Sequence, residues 1–363
     1  MKIRLITFHT PKNYGAVLQG FSLMSYLKKY SGDTAVIDFN TPHLRELYKL
    51  VSKPCGKKAW LTLPLTLLNL PRKKVKYRKF DGFVRDFYTL TKRYESIEEL
   101  QKDYPKADVY FTGSDQVFNP NRAEDERRAF YLDFLPDDAC RVSYAASFGV
   151  KTIDENKKMT IRGYLNKFDK ISVRENSGIK LVNEISSKNA VRVADPVFLN
   201  DKEFWLSIAQ PYKKKYSNYL FYYRLMGSRE SDAAAYAAAK EKGLRLVIMT
   251  DGIMRRPRRD VLRDVGPREF LQLMSDADFI VTDSFHGVAF SIIFQKQFVF
   301  SDMREVTGER GYDLLCKCGI EKQAYAKTYA AENAIDYTEV NKLVGEFAEL
   351  SKRYIDDCMQ DVK

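Results

Sequence analysis

The chain has 363 residues, too many for one ordinary core, and at roughly 150 residues per domain two domains are expected. Apolar residues make up 45% and aromatic residues 13%, a composition that favours a folded chain over a disordered one. The formal net charge is +12, yet ten basic residues and no acidic one lie between Leu47 and Phe80, so the remainder carries only +2 and the protein is not basic throughout.

Ile3 to Phe8, mostly apolar, reads as a buried strand rather than as a signal peptide. The loop Thr10-Pro11-Lys12-Asn13-Tyr14-Gly15 follows. Val17, Leu18, Phe21, Leu23, Met24 and Leu27 then recur at helical spacing. Thr34 to Phe39 is the next strand. The basic excursion from Leu47 to Phe80 encloses Trp60 to Leu68. A basic segment with tryptophan and leucines suits an anionic membrane surface; nucleic acid is the competing partner, and a solvated excursion packed on its own domain is the plain alternative. Its longest apolar stretch, Ala59 to Leu70, is interrupted by Pro64 and falls short of the eighteen or so residues of a membrane span. Phe80 to Tyr88 reads as a helix, and Ala107–Thr112, Arg141–Ala146, Ile171–Val173 and Val191–Ala194 as strands.

The second half repeats the alternation. Strands are expected at Tyr219–Tyr223, Leu244–Met249, Phe279–Thr282 and Phe298–Phe300. Helices are expected at Asp232–Lys242, Pro267–Met274 and Gly287–Phe294, with a long terminal helix from Asp336 to Ile355. Short apolar strands between helices imply parallel sheets covered on both faces. The expected architecture is therefore two Rossmann-like α/β domains facing a central cleft. The expected boundaries are 1–205, including the basic excursion 47–80; 206–335; and a terminal helix, 336–363, packing back toward the N-terminal domain.

Familiar signatures are absent. The sequence has no G-x-G-x-x-G, no G-K-[ST] and, with only His9, His43 and His286, no H-E-x-x-H. Asp276-Ala277-Asp278 matches a metal-binding D-x-D in form but sits between a helix end and a strand, where acidic residues cap turns. The five cysteines are scattered and odd in number, as expected of reduced thiols in a cytoplasm. Cys316-Lys317-Cys318 has no second pair or histidine nearby and reads as two thiols on a helix. No metal site is expected.

In parallel sheets, ligands bind beyond the carboxyl ends of the strands. After Phe279–Thr282 come Asp283, Ser284, Phe285 and His286, at the start of a helix whose N-terminus favours an anion. The helix dipole opposes a protonated histidine there. Two readings stand: a histidine that exchanges a proton with an anionic ligand, or a neutral one that caps the helix. After Ala107–Thr112 come Gly113, which permits close backbone approach to a ligand, and Ser114, which can donate to an oxygen; a simple turn is the alternative. After Ile171–Val173 comes Arg174-Glu175, either an arginine that forks onto a carboxylate or phosphate or a surface pair. Arg304 and Arg310 follow the last strand as further anion ligands, and Asn13 and Tyr14 follow the first. Together these suggest a site for a small, doubly anionic ligand beside a proton donor.

The strand-end segments resemble the polysaccharide pyruvyltransferase family. The resemblance rests on Asn13 to Gln19, Gly113 to Pro120, Ser143 to Gly149, Ile171 to Glu175, Asp195-Pro196 and Thr282 to Gly287, in that order along most of the chain. It implies a GT-B-like fold and transfer of the enolpyruvyl carbons of phosphoenolpyruvate to a sugar as a pyruvate ketal. It also implies a catalytic role for His286, phosphoenolpyruvate binding by Arg174, and a second basic contact at Arg304 or Arg310. Ser284 stands where some members carry an arginine two residues before the histidine, a departure that bears on acceptor contacts. The implied partners are phosphoenolpyruvate as donor substrate and a sugar acceptor on a lipid-linked oligosaccharide, with an anionic membrane surface met through 47–80. No other cofactor and no nucleic acid are expected. The protein is expected in the cytoplasm, at the inner face of the membrane. A nucleotide-sugar glycosyltransferase or a non-catalytic sugar-binding protein on the same fold are the alternatives.

Overall fold

The structure, a computed structural model, describes residues 1–50, 57–252, 260–302, 307–324 and 334–362, with the backbone alone for 57–66 and 307–308. The chain divides into two units. Unit 1 comprises Met1–Glu46, Val84–Asn200 and Gly345–Lys363; unit 2 comprises Leu47–Phe83 and Asp201–Val344.

In unit 1, β1 (Lys2–Ile6), α1 (Tyr14–Leu27), β2 (Asp33–Phe39) and α2 (Pro42–Leu47) lead into α3 (Lys57–Phe87), whose last turn returns the chain to unit 1. Then come β3 (Leu90–Tyr94), α4 (Ile97–Lys102), β4 (Val109–Thr112), α5 (Glu124–Phe130), β5 (Arg141–Ala146), α6 (Glu155–Asn166), β6 (Lys170–Val173), α7 (Asn176–Ile185) and β7 (Ala190–Arg192). The seven strands are all parallel, in the order β3-β2-β1-β4-β5-β6-β7. The order reverses between β1 and β4, the switch point at which such sheets bind ligands. Helix α1 is buried on nearly every side, as expected of a helix apolar all round. An aromatic core includes Phe118 stacked on Tyr131 at 4.5 Å. Arg141 is fully buried. Its guanidinium donates to the carbonyls of Leu132, Leu135, Pro136 and Ala139, stapling the turn before β5.

In unit 2, α8 (Lys202–Ile208), β8 (Tyr219–Tyr223), α9 (Arg229–Glu241), β9 (Arg245–Met249), β10 (Val261–Leu262), α10 (Pro267–Asp276), β11 (Phe279–Thr282), α11 (Phe285–Ile293), β12 (Phe298–Phe300) and α12 (Thr307–Lys317) precede α13 (Tyr337–Gln360). The five strands are parallel, in the order β10-β9-β8-β11-β12, so the switch point lies between β8 and β11. Ala235, Ala238 and Ala239 let α9 lie close to Leu220, Tyr222 and Val281 of the sheet.

The structure corrects the expected domains in one respect. The basic excursion belongs to unit 2 through Phe83, not to the N-terminal domain. Lys76 pairs with Asp251 and Lys79 with Glu269, partners far away in sequence that no local reading could supply. The chain boundary falls at Asn200/Asp201. The end of α13 is counted with unit 1. There Ser351 accepts from the Ala194 N–H (2.8 Å), and the Tyr354 hydroxyl donates to the Ser143 carbonyl (3.0 Å).

Candidate functional site

The carboxyl edge of the unit 1 sheet gathers Gly113, Ser114, Asp115, Arg174, Glu175 and Asp195. Arg174 directly follows β6, and its side chain is 3% exposed. Its guanidinium donates to Glu175 (2.9 Å), to Asp195 (2.7 Å) and, at a longer 3.5 Å, to Asp115. Burial disfavours the cation, but the carboxylates outweigh it and hold Arg174 protonated above the ordinary arginine range. One guanidinium among three carboxylates gives the group a formal charge of −2. Asp115 is the farthest of the three and the most exposed, at 25%.

Asp195 also accepts from the Val197 N–H at 3.2 Å, capping the short turn Pro196–Leu199. That double role gives Asp195-Pro196 a physical reason.

The expected ligand contacts of unit 1 sit among local neighbours. At Gly113, with φ of +135°, any β-carbon would collide with the Tyr144 carbonyl; what approaches closely is the neighbouring strand. Ser114 is fully buried; its hydroxyl donates to the Ala145 carbonyl at 2.7 Å, and its N–H donates to the Gln19 side chain at 2.9 Å. Asn13 caps α1 by accepting from the Ala16 N–H at 3.1 Å, and Tyr14 is buried in the first turn of that helix. Glu175 occupies the position before α7 and turns its carboxylate to Arg174.

In unit 2, β11 delivers Asp283, Ser284 and His286 to the switch point. Ser284 caps α11 by accepting from the Gly287 N–H at 3.4 Å, and its own N–H donates to the Thr282 hydroxyl at 3.1 Å. His286 is buried in the first turn, edge-on to Phe285 with ring centroids 5.1 Å apart. Gly287 is required, since a β-carbon there would strike Thr282. Asp283 accepts from three successive backbone N–H groups: Leu225 (2.6 Å), Met226 (3.0 Å) and Gly227 (2.5 Å). It thereby fixes the loop after β8 against the head of α11. Arg310 lies half-buried in α12, and Arg304 lies outside the described residues.

Arg174 and Ser114 thus belong to unit 1, whereas His286, Ser284 and Arg310 belong to unit 2. Sequence reasoning missed Asp115, Asp195 and Asp283 as organising residues, although each lies just past a strand. It also missed Arg224, a buried arginine directly after β8 that is bound to Asp232 at 2.7 Å. The other two histidines face carboxylates within unit 1: His9 faces Asp38 at 3.0 Å and His43 faces Glu126 at 2.6 Å. A cavity of about 570 Å³ lies at the opposite, amino edge of the unit 1 sheet, where Asp108, Cys140 and Asp169 precede their strands. It is therefore separate from these strand-end groups.

Two parallel α/β units, each with polar and charged side chains gathered beyond the carboxyl ends of its strands, define an α/β protein with a GT-B-like fold. Solved structures of that shape include Anabaena Alr3699/HepE in complex with UDP and glucose, with a TM-score of 0.52, 8% identity and coverage of 99% of this chain and 100% of that one. The S. aureus MnaA complex with UDP has a TM-score of 0.50 at 12% identity, covering 97% of this chain and 91% of that one. At such identities the likeness concerns the fold alone. A search of curated proteins finds no match. The polysaccharide pyruvyl transferase family model matches residues 13–302, and the chain belongs to that family.

Proposed function

We propose that this transferase moves the enolpyruvyl carbons of phosphoenolpyruvate onto a sugar of a cell-surface polysaccharide or its lipid-linked precursor, closing a pyruvate ketal. The carrying observation is the family match across 13–302 together with His286, buried in the first turn of α11 at the unit 2 switch point. In this reading, protonated His286 gives its proton to the methylene carbon of the donor. Positive charge develops at the central carbon, and a sugar hydroxyl bonds there. The carbon–oxygen bond to phosphate breaks with its electron pair on the phosphate, and a second hydroxyl of the same sugar closes the ketal. The two hydroxyl protons are released to solvent or to the phosphate.

The amide N–H groups at the head of α11, with Arg310 or Arg304, supply positive potential for the donor. Following the family resemblance, Arg174 is a further donor contact, exchanging its long Asp115 contact for a donor oxygen. Asp115, once released, accepts a hydrogen bond from the acceptor. No metal and no nucleotide enters this scheme. The protein works in the cytoplasm, at the inner face of the membrane, where lipid-linked acceptors are assembled.

The experiment follows two products, inorganic phosphate and acid-labile pyruvate on the sugar. His286→Ala should turn over about 100- to 10,000-fold more slowly while the protein stays folded. Turnover at the parental rate removes His286 from the mechanism. Phosphate release without sugar-bound pyruvate rules out the transfer.

A further inference from the structure

Helix α3 presents two unlike sets of side chains. In one, Lys76 is 3% exposed and pairs with Asp251, in the loop just after β9. Lys79 reaches Glu269 and the Asp264 carbonyl, and Lys73 donates to the Leu50 carbonyl at 2.7 Å. These cations fasten the helix to its own unit. Away from these contacts the helix carries Leu67 at 51% exposure, Leu68 at 76% and Val75 at 36%, with Pro71, Arg72, Lys74 and Arg78 also exposed.

The spacing makes this a surface rather than a scatter. At 3.6 residues per turn, Leu67, Pro71, Val75 and Arg78 follow one line along the helix, Leu68 and Arg72 lie on the adjoining row, and Lys74 flanks the other side. An apolar strip is thereby bordered by cations on both sides. No acidic residue occurs anywhere from Leu47 to Phe80. No helix among the described residues is long and apolar enough to cross a membrane.

We infer that this face of α3 docks on an anionic lipid bilayer, with Leu67, Leu68 and Val75 entering the headgroup boundary and Arg72, Lys74 and Arg78 meeting the lipid phosphates. Charge complementarity selects the occupant. A helix of this kind lies in the interface plane, bound by buried apolar area plus attraction to anionic headgroups. Nucleic acid would use the cations but leave the leucines in water, so the bilayer accounts for more of the surface. The inference does not depend on the proposed chemistry, because it is read from binding alone.

The test is flotation of the full chain with vesicles of pure phosphatidylcholine and with vesicles that also carry phosphatidylglycerol. Binding to the anionic vesicles only is expected. Arg72→Gln/Lys74→Gln/Arg78→Gln should weaken that binding roughly a hundredfold, at about a factor of five for each cation removed. Leu67→Ser/Leu68→Ser should weaken it about tenfold or more. Lys102→Gln/Lys180→Gln/Lys240→Gln removes the same charge from exposed sites elsewhere and should change binding far less. Equal binding of the parent to both vesicle types, or equal losses in the two charge variants, overturns the inference. So does binding to a DNA duplex with no binding to either vesicle. The parental comparison of vesicles needs no variant, so a misfolded substitution cannot decide the outcome.

Discussion

At Arg174 the guanidinium is engaged on three sides, by Glu175, Asp195 and Asp115. Removing it leaves carboxylates uncompensated in a buried site, which costs about 3–5 kcal/mol. Arg174→Ala should therefore lower stability by roughly that much in denaturant unfolding, whatever it does to the reaction. An Arg174→Ala variant as stable as the parent would mean that these contacts do not hold the unit together. Lys in its place keeps a charge but cannot fork, so Arg174→Lys should retain more stability than Arg174→Ala and less than the parent. For the same reason, loss of activity in Arg174→Ala cannot by itself identify a donor contact. His286 gives the cleaner residue-scale test, because it packs on Phe285 in a helix already capped by Ser284.

At the scale of elements, the head of α11 is built from three small residues. Thr282 donates its hydroxyl proton to the Tyr223 carbonyl (3.1 Å) and accepts from Ser284, which caps the helix, while Gly287 leaves room for the Thr282 side chain. Ser284→Ala should cost about 1 kcal/mol, the usual worth of a cap. Gly287→Ala should cost about 1–3 kcal/mol, because buried, β-branched Thr282 has little freedom to move aside. Equal melting temperatures for Gly287→Ala and the parent would contradict this packing. The strands around this helix were legible in the sequence because, like Phe279–Thr282, they are short apolar runs buried on both faces. Other elements were not, strand β3 and the body of helix α3 among them. Strand β3 reads Leu-Thr-Lys-Arg-Tyr and lies at a sheet edge, where only Tyr94 is buried, so burial imposes no pattern. Helix α3 carries Pro64 and Pro71 within it, each lacking a ladder N–H, and its lysines mask a face that packs through ion pairs. The site was half legible for a related reason. Strand ends pointed to Arg174 and His286. Their organising neighbours Asp195 and Asp283 work through hydrogen bonds to groups 21 and 58 residues away or nearby in number, a spacing with no sequence pattern.

For the whole molecule, acidity should act through carboxylates in both units. Burial pushes Asp38, Asp260 and Asp264 up, but their cationic partners outweigh it and leave all three below the usual carboxylate range. The partners are His9 and Arg93 for Asp38, Lys214 and Arg245 for Asp260, and Lys213 with the Tyr212 hydroxyl for Asp264. A depressed folded-state value means that the unfolded chain takes up protons first. The stabilisation is fully present above the unfolded value of about 4 and is lost as pH falls through the lower folded values. Melting temperature should therefore decline steeply below about pH 4. Asp264→Asn should be less stable at neutral pH and show a shallower decline; an acid limb identical to the parent's would remove Asp264 from the account.

Phosphoenolpyruvate is the proposed donor. Thermal unfolding with phosphoenolpyruvate, and separately with UDP-sugars, tests it without knowledge of the acceptor. A ligand at 100 times its dissociation constant adds about 2.7 kcal/mol, a rise of several degrees in a unit of this size. The account predicts that rise with phosphoenolpyruvate and none with UDP-sugars. Stabilisation by a UDP-sugar with no response to phosphoenolpyruvate would contradict it.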